Sequence, residues 1–438
     1  MNRRRFIRNS ALVGAAFTAA PFIRAADPTQ KFRVALIGSG WWGKNILKEA
    51  MASGRCKTVA LADVDANTLE VAGDQVNNLS GDTPKLYRDY RELLAKEKPD
   101  IVIIATPDHW HGLNTIDALK AGAHVYVEKP TGHTVNESRA MLKAARESGR
   151  VVQVGLHRRI GPHHVSGMKF LKSGAVGEVG MVRLFAHGGG GAEKPSLNEE
   201  PPSNLDWDFW CGPAPKRPFN KRIHPGGWRG FLDYANGTLG DWGAHWLDQV
   251  LWWNGGEAPK RVFCTGGRPI RGPVVLNEKE QTSDVPDHQV ATYEFEKFTC
   301  VWEHRQFGDN NNEKHKIGAY FYGTKGVLHI GWRDGWTFYP ANRGGKQEHE
   351  DSQLQEPDGH NIQLLWADFM ESIDRRRAPV AGIEQAHRSN VLPLLGMISW
   401  KVGRSIQWDA AKEEIIGDPE ANKLQSRPYR APWMYPAV

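Results

Sequence analysis

The stretch GTLGDWGAHWLDQVLWW, residues 237–253, carries Asp241, His245 and Asp248. At i, i+4 and i+7 all three share one face of a helix. A histidine titrates near neutrality and suits the work of a general base. A carboxylate one turn earlier can orient that imidazole or bind a neighbouring hydroxyl. Far upstream, VYVEKPTG places Glu128, Lys129 and Pro130 at the end of an apolar run. An ammonium there can donate a hydrogen bond to a substrate oxygen and stabilise developing alkoxide charge. Base and amine together serve the oxidation of a secondary alcohol, provided something accepts the hydride. Taken singly, each has a plainer reading: a solvated Glu-Lys pair at a strand terminus, and a helix acid beside a core histidine.

A hydride acceptor is implied by VALIGSGWWGKNI, which carries G-x-G-x-x-G at Gly38, Gly40 and Gly43. The motif follows an apolar strand and opens a helix, the context it requires. Gly38 permits a tight turn, Gly40 lets the backbone approach a pyrophosphate, and Gly43 lets helix pack on strand. Free N–H groups at the helix start would hold the phosphates. Asp63 ends the second strand, 20 residues after Gly43. A carboxylate there bonds ribose hydroxyls and repels the extra phosphate of NADP, so NAD is expected as the cofactor.

These residues need elements to position them. Residues 31–159 alternate apolar strands (FRVALIG, KTVALADVD, PDIVIIATP, AHVYVEKP, GRVVQVGLHRR) with helical segments (KNILKEAMASG, YRELLAKEK, LNTIDALKAG, VNESRAMLKAARESG). That alternation predicts a doubly wound parallel sheet, an α/β Rossmann domain with Lys129 on its ligand-binding edge. After residue 160 the pattern changes. SGMKFLKSG reads as helix and GEVGMVRLFAHG as strand, followed by a Gly- and Pro-rich loop. RVFCTGG, HQVATYEFEKFTCVWEHRQF and KIGAYFYGTKGVLHIGW read as strands, with tight hairpins at EFEKFTCVWE and YGTKGVLHI. Residues 341–359 read as polar loop, and helices follow near 360–377 and 389–406. Residues 160–409 are thus predicted as an α+β substrate and oligomerisation domain with a mainly antiparallel, open-faced sheet. Residues 410–438 form an extension.

The Gly-rich turn, ATPDHWH at residues 105–111, EKP and the later D-x-x-x-H together resemble the Gfo/Idh/MocA family of nicotinamide-dependent sugar oxidoreductases. The resemblance covers nearly all of residues 31–409. TPDHWH, NLDWDFWCGPAPKRPFN and GTLGDWGAHWLD look like the family's exported branch, which bears twin-arginine signals. It implies Lys129, Asp241 and His245 as the catalytic trio. Trp42, Thr106, Pro107, His111, Glu128 and Lys129 join the glycines and Asp63 around the cofactor. The function implied is oxidation of a secondary hydroxyl of a sugar or glycoside by hydride transfer to tightly bound nicotinamide. One alternative is an NAD-dependent glycoside hydrolase acting by transient oxidation and elimination. Another is a non-enzymatic sugar-binding or scaffold protein. The resemblance also implies a homo-oligomer built through the open sheet face.

Substrate contacts are suggested by IHPGGWRGFLDY, with His224, Trp228, Arg229 and Tyr234, and by GLHRR, with His157 and Arg158. Indole faces stack on the C–H faces of sugar rings. His109, His111, His157, His163, His164 and His224 show no H-E-x-x-H or comparable spacing, so no metal is expected.

With 438 residues, 40% apolar and including 17 Trp, the chain has material for two domains. The formal charge is +6, but Arg3, Arg4, Arg5, Arg8 and Arg24 stand in residues 1–26 without an acid. The remainder is nearly neutral, which excludes nucleic acid as an expected partner. The head, MNRRRFIRNSALVGAAFTAAPFIRAADP, reads as a signal peptide over 1–26. RRRFIR resembles the twin-arginine motif, with Asn2 where Ser or Thr is usual. The translocase is then a transient partner and the destination periplasmic. Ile23-Arg24-Ala25 is a poor cleavage site, which leaves an uncleaved membrane tether open. Cys56, Cys211, Cys264 and Cys300 are scattered, and sequence assigns no disulfide among them.

Overall fold

The computed structural model describes residues 31–437 except 310–312, 343 and 355; the predicted signal peptide lies outside the described residues. The first sheet is built from β1 (Phe32–Ile37), β2 (Cys56–Ala62), β3 (Lys85–Tyr87), β4 (Ile101–Ile104), β5 (His124–Val127) and β6 (Val152–Val154). All pair in parallel, in the order β3-β2-β1-β4-β5-β6. Runs such as VALI and IVII are buried on both faces, as a sheet covered by helices requires. Those helices are α1 (Trp41–Ala52), α2 (Ala66–Ser80), α3 (Tyr90–Glu97), α4 (Asp108–Lys120) and α5 (Val135–Ser148). The sequence reading gave no assignment to α2 and β3. Asp65 marks the start of α2, its carboxylate accepting from Asn67 and Thr68 N–H. Helix α4 begins at Asp108, five residues before LNTIDALKAG, so that DHWH is helical.

The rest of the chain adds α6 (Pro162–Lys172), β7 (Val179–His187), β8 (Ser196–Leu197), α7 (Trp207–Cys211) and α8 (Gly237–Asn254). Then come β9 (Arg261–Gly267), β10 (Glu280–Gln281), β11 (His288–Glu294), β12 (Thr299–Arg305), β13 (Ile317–Gly323), β14 (Gly326–Gly331), β15 (Trp336–Pro340) and β16 (Glu348–Glu350). Last come α9 (Pro357–Arg375), α10 (Ile383–Val402), β17 (Ile406–Asp409), β18 (Glu414–Ile415) and α11 (Pro419–Lys423). Among the described residues a ten-stranded sheet runs β16-β15-β14-β13-β7-β12-β11-β9-β17-β18, antiparallel except between β7 and β12. The predicted hairpins β11–β12 and β13–β14 are both present. Alternation sorts the faces: Ala291, Tyr293, Trp302 and Phe321 are buried in a core with α8 and α10. Met181, Phe263 and Val290 stay exposed on the other side.

Three segments of the second half depart from the sequence reading. The predicted loop 341–359 contains β16, in register with β15 (Phe338↔Glu348). Helix α10 starts six residues early, at Ile383. Helix α9 packs Ile362, Leu365, Trp366 and Phe369 into the core of the first sheet rather than the second. The four cysteines are buried and form no disulfide among the described residues, and no described helix is long and apolar enough to cross a membrane.

The extension is docked. Helix α5 opens with a capping box, in which Glu137 Oε2 accepts from the N–H groups of His133 (2.6 Å) and Thr134 (3.2 Å). Its other oxygen accepts from Arg427 Nε and Tyr429 OH, both at 2.8 Å. Arg430 reaches Asp208 of α7 (2.9 Å), and Trp433 packs edge-on against Trp110. The tail therefore clasps α5 and α7 together. Arg427→Ala leaves a buried carboxylate without its cation, so it should destabilise the fold by about 3 kcal/mol, read as a lower urea midpoint. Exposed Arg404→Ala should barely move it.

Candidate functional site

Parallel strands aim their carboxyl ends at one crevice, and the chain uses every neighbouring strand end to furnish it. The turn after β1 supplies Gly38 and Gly40. Gly38 has φ +89°, and a Cβ there would lie 2.7 Å from Ala105 C. A Cβ on Gly43 would lie 2.2 Å from Gly38 O, so Gly43 is a packing position beneath the turn. Around Gly40 a Cβ would meet nothing within 4 Å. The start of α1 has no side-chain cap, so open space and free N–H groups coincide where a pyrophosphate fits. Asp63 follows β2, with Oδ2 accepting from Ser39 N–H at 2.7 Å and Oδ1 from Asp65 N–H at 3.0 Å. Burial raises its pKa to about 6 against those backbone donors.

All of this opens on a cavity of about 960 Å³. Its wall includes Gly38, Gly40, Trp42, Asp63, Thr106, Pro107, His111, Glu128 and Lys129 from the first half. His157, His224, Trp228, Asp241 and His245 also line it. Lys129 Nζ pairs with the Asp241 carboxylate and lies 3.2 Å from the Asp241 carbonyl. Arg229, stacked on Trp228 at 4.1 Å, reaches the same carboxylate at 3.3 Å. Burial pushes Asp241 up, but Lys129 and Arg229 outweigh it and hold the group at about 2. Asp241 thus aims Lys129 rather than His245. Burial, with Arg158 and Lys129 nearby, holds His245 well below its usual value, so the ring is neutral at pH 7.

Several expected residues sit elsewhere. Asp248, on the same helix face, is 1% exposed and paired with Arg159 at 2.7 Å, a structural contact one turn beyond the cavity. Tyr234 does not line the cavity: it is fully buried among Trp207, Trp210 and His109, its OH 3.4 Å from Cys211 Sγ. A Trp-rich neighbourhood captured it. Arg158 lies behind His245, over the rings of Trp242 (5.7 Å) and Trp246 (5.1 Å) and 4.0 Å from Asp358. His111 reaches the wall, but its nitrogens face the carbonyls of Pro130 (2.7 Å) and Thr106 (2.8 Å), so it pins the Lys129 turn. The sequence reading missed Asp108, Trp242 and Asp358 as wall residues. Asp108 stood in the quoted ATPDHWH; Asp358 arrives from α9 and had no local signal.

A strap from the second half ties down the segment that follows Asp63. Asn204 Nδ2 donates to Asp65 at 2.7 Å, Ala66 N–H to Asn204 O and Asp206 N–H to Val64 O, both at 3.0 Å, and Arg88 pairs with Asp206. The second half of the chain is thereby stitched to the residues just after Asp63.

The profile "Oxidoreductase family, NAD-binding Rossmann fold" matches residues 32–156, and "Oxidoreductase family, C-terminal alpha/beta domain" matches residues 190–435. The chain belongs to the Gfo/Idh/MocA oxidoreductase family. D-glucoside 3-dehydrogenase of Escherichia coli (strain K12) is 25% identical over 329 residues, 73% of this chain and 80% of that protein. A glycosyl hydrolase family 109 protein of Stenotrophomonas maltophilia is 36% identical over 155 residues, 34% of each. Levoglucosan dehydrogenase in complex with NADH and L-sorbose superposes with a TM-score of 0.67 at 19% identity, over 86% of this chain and 99% of that one. Aldose-aldose oxidoreductase from Caulobacter crescentus gives 0.64 at 20%, over 86% and 100%. At these identities the structural likeness speaks for the fold, which the two Gfo/Idh/MocA profiles share.

Asp108 offers a check on the electrostatics of the family's cavity in this chain. Burial raises its pKa to about 7, against Arg229 and Lys129. A pKa raised on folding costs stability above the unfolded value, fully so once pH exceeds the folded value. Asp108→Asn should therefore stabilise the protein at pH 8, and the gain should shrink as pH falls toward 4, measured by denaturant midpoints across that range.

Proposed function

We propose that this protein oxidises a secondary hydroxyl of a sugar or glycoside and passes hydride to an NAD that it holds tightly. The observation carrying the reading is convergence: Lys129 and His245 open on the same cavity as the Gly38–Gly40 turn and Asp63. Bound there, a nicotinamide supplies the hydride acceptor. The backbone at Gly40 and the start of α1 would hold the pyrophosphate, and Asp63 the ribose, at the expense of NADP. His245 takes the hydroxyl proton. Lys129, aimed by Asp241, donates to the oxygen as charge develops. Trp228 and Trp242 put indole rings in the cavity wall beside a bound sugar. The sugar substrate class is supported by the printed activities of the glucoside and levoglucosan dehydrogenases.

A second reading, glycoside hydrolysis by transient oxidation and elimination, is favoured by two observations. One is the stretch shared with the family 109 protein. The other is Asp108, a carboxyl in the same cavity that keeps its proton near neutral pH and so has one to give a leaving group. We also carry forward export by the twin-arginine route, supported by RRRFIR, and self-association through the outer sheet face, supported by exposed Met181, Phe263 and Val290.

Denaturing the purified protein should release NAD(H). His245→Ala and Lys129→Ala should each lower turnover of a responsive sugar by about 10²–10⁴-fold; wild-type rates in either variant would remove its assigned role. Nitrophenol released from nitrophenyl glycosides without added cofactor would select the hydrolase.

A further inference from the structure

Strand pairing gathers a second set of ligand-type side chains on the far face of the ten-stranded sheet. On β14, Leu328 and Ile330 point into the core, so His329 between them points to the opposite face, across from Tyr320 and Thr337. His315, just before β13, and Asp334, in the turn after β14, join it. One ligand atom from each lies within 4.8 Å of the others. His315 Nδ1 is 2.9 Å from Asp334 Oδ2, and the two imidazoles stack with centroids 3.7 Å apart.

His329 is 0% exposed, and among the described residues neither of its ring nitrogens has a hydrogen-bond partner, nor has His315 Nε2. Buried imidazole nitrogens left this way cost free energy unless something binds them. The backbone makes room for an occupant. Gly318 and Gly331 face one another across β13 and β14. A Cβ on Gly318 would lie 3.0 Å from His329 Nε2, and one on Gly331 would lie 3.0 Å from Asp334 Oδ2. Two absent side chains thus open a recess lined by donor atoms.

We propose that His315, His329 and Asp334 bind one divalent transition metal of the zinc class. Two imidazoles with a carboxylate suit zinc, whereas calcium and magnesium prefer all-oxygen sets. The fourth position of a tetrahedral ion is left to water. Ligand atoms around zinc stand about 3.3 Å apart, so binding turns the two imidazoles out of their stack until their in-plane lone pairs converge on one point. The ion ties the segment before β13 to the turn 331–335. That turn carries Trp332, whose ring meets Trp242 on α8 at 5.1 Å. The metal would therefore brace one wall of the catalytic cavity from outside it.

The test uses untagged full-length protein stripped with chelator, then titrated with Zn²⁺ by calorimetry and with Co²⁺ by visible absorption. One ion per chain should bind, Co²⁺ should give the strong visible bands of four-coordination, and Zn²⁺ should raise the melting temperature. Asp334→Asn changes an exposed side chain and leaves the core intact. It and His315→Gln should each weaken binding by about tenfold or more, while His349→Gln, outside the set, should bind as the parent does. No stoichiometric ion, equal affinity in Asp334→Asn and His315→Gln, or equal loss in His349→Gln would overturn the site.

Discussion

An ammonium on one sheet's edge and a carboxylate on another domain's helix meet at Lys129 and Asp241. Both are largely withdrawn from water, and a buried charge is tolerated only beside its opposite. The pair therefore fixes how closely the two halves approach and where the amine can point. Arg229 shares the same carboxylate from a third direction, so the group stays ionised whatever reacts nearby. Asp248 and Arg159 repeat the arrangement two turns along α8. One helix is thus pinned twice to the first half of the chain, once at the chemistry and once away from it.

That anchoring explains why His245 can stay neutral. Its neighbours Arg158 and Lys129 are cations, and the ring itself is buried. A protonated ring there would be expensive, so the empty site holds the imidazole neutral and only weakly basic. The same desolvation acts in the opposite direction on Asp63 and Asp108, which burial inclines to hold protons. Acid and base are separated by environment rather than by residue type.

Much of this was legible because local pattern and chemistry coincided. Gly38, Gly40, Asp63 and Lys129 follow strands whose apolar runs are unmistakable, and strand ends converge by topology. Asp241 and His245 share a helical face, so their common direction was written in their spacing. The same spacing makes Asp248 a candidate, but a helix face is longer than a pocket. Tyr234 shows the other failure: an aromatic in a Trp-rich segment reads alike whether it lines a cavity or fills a core. Asp358, the strap at Asn204 and the Arg427 clasp depend on contacts between remote segments, which no local pattern encodes. His315, His329 and Asp334 belong with them, since β13 and β14 must first pair before the three share a recess.

The tail has a consequence for how the molecule is made. Arg427 and Tyr429 stand about 290 residues after the carboxylate they hold. Until they are made, only the N–H groups of His133 and Thr134 meet Glu137, so a chain cut short before residue 427 would carry helix α5 without its clasp.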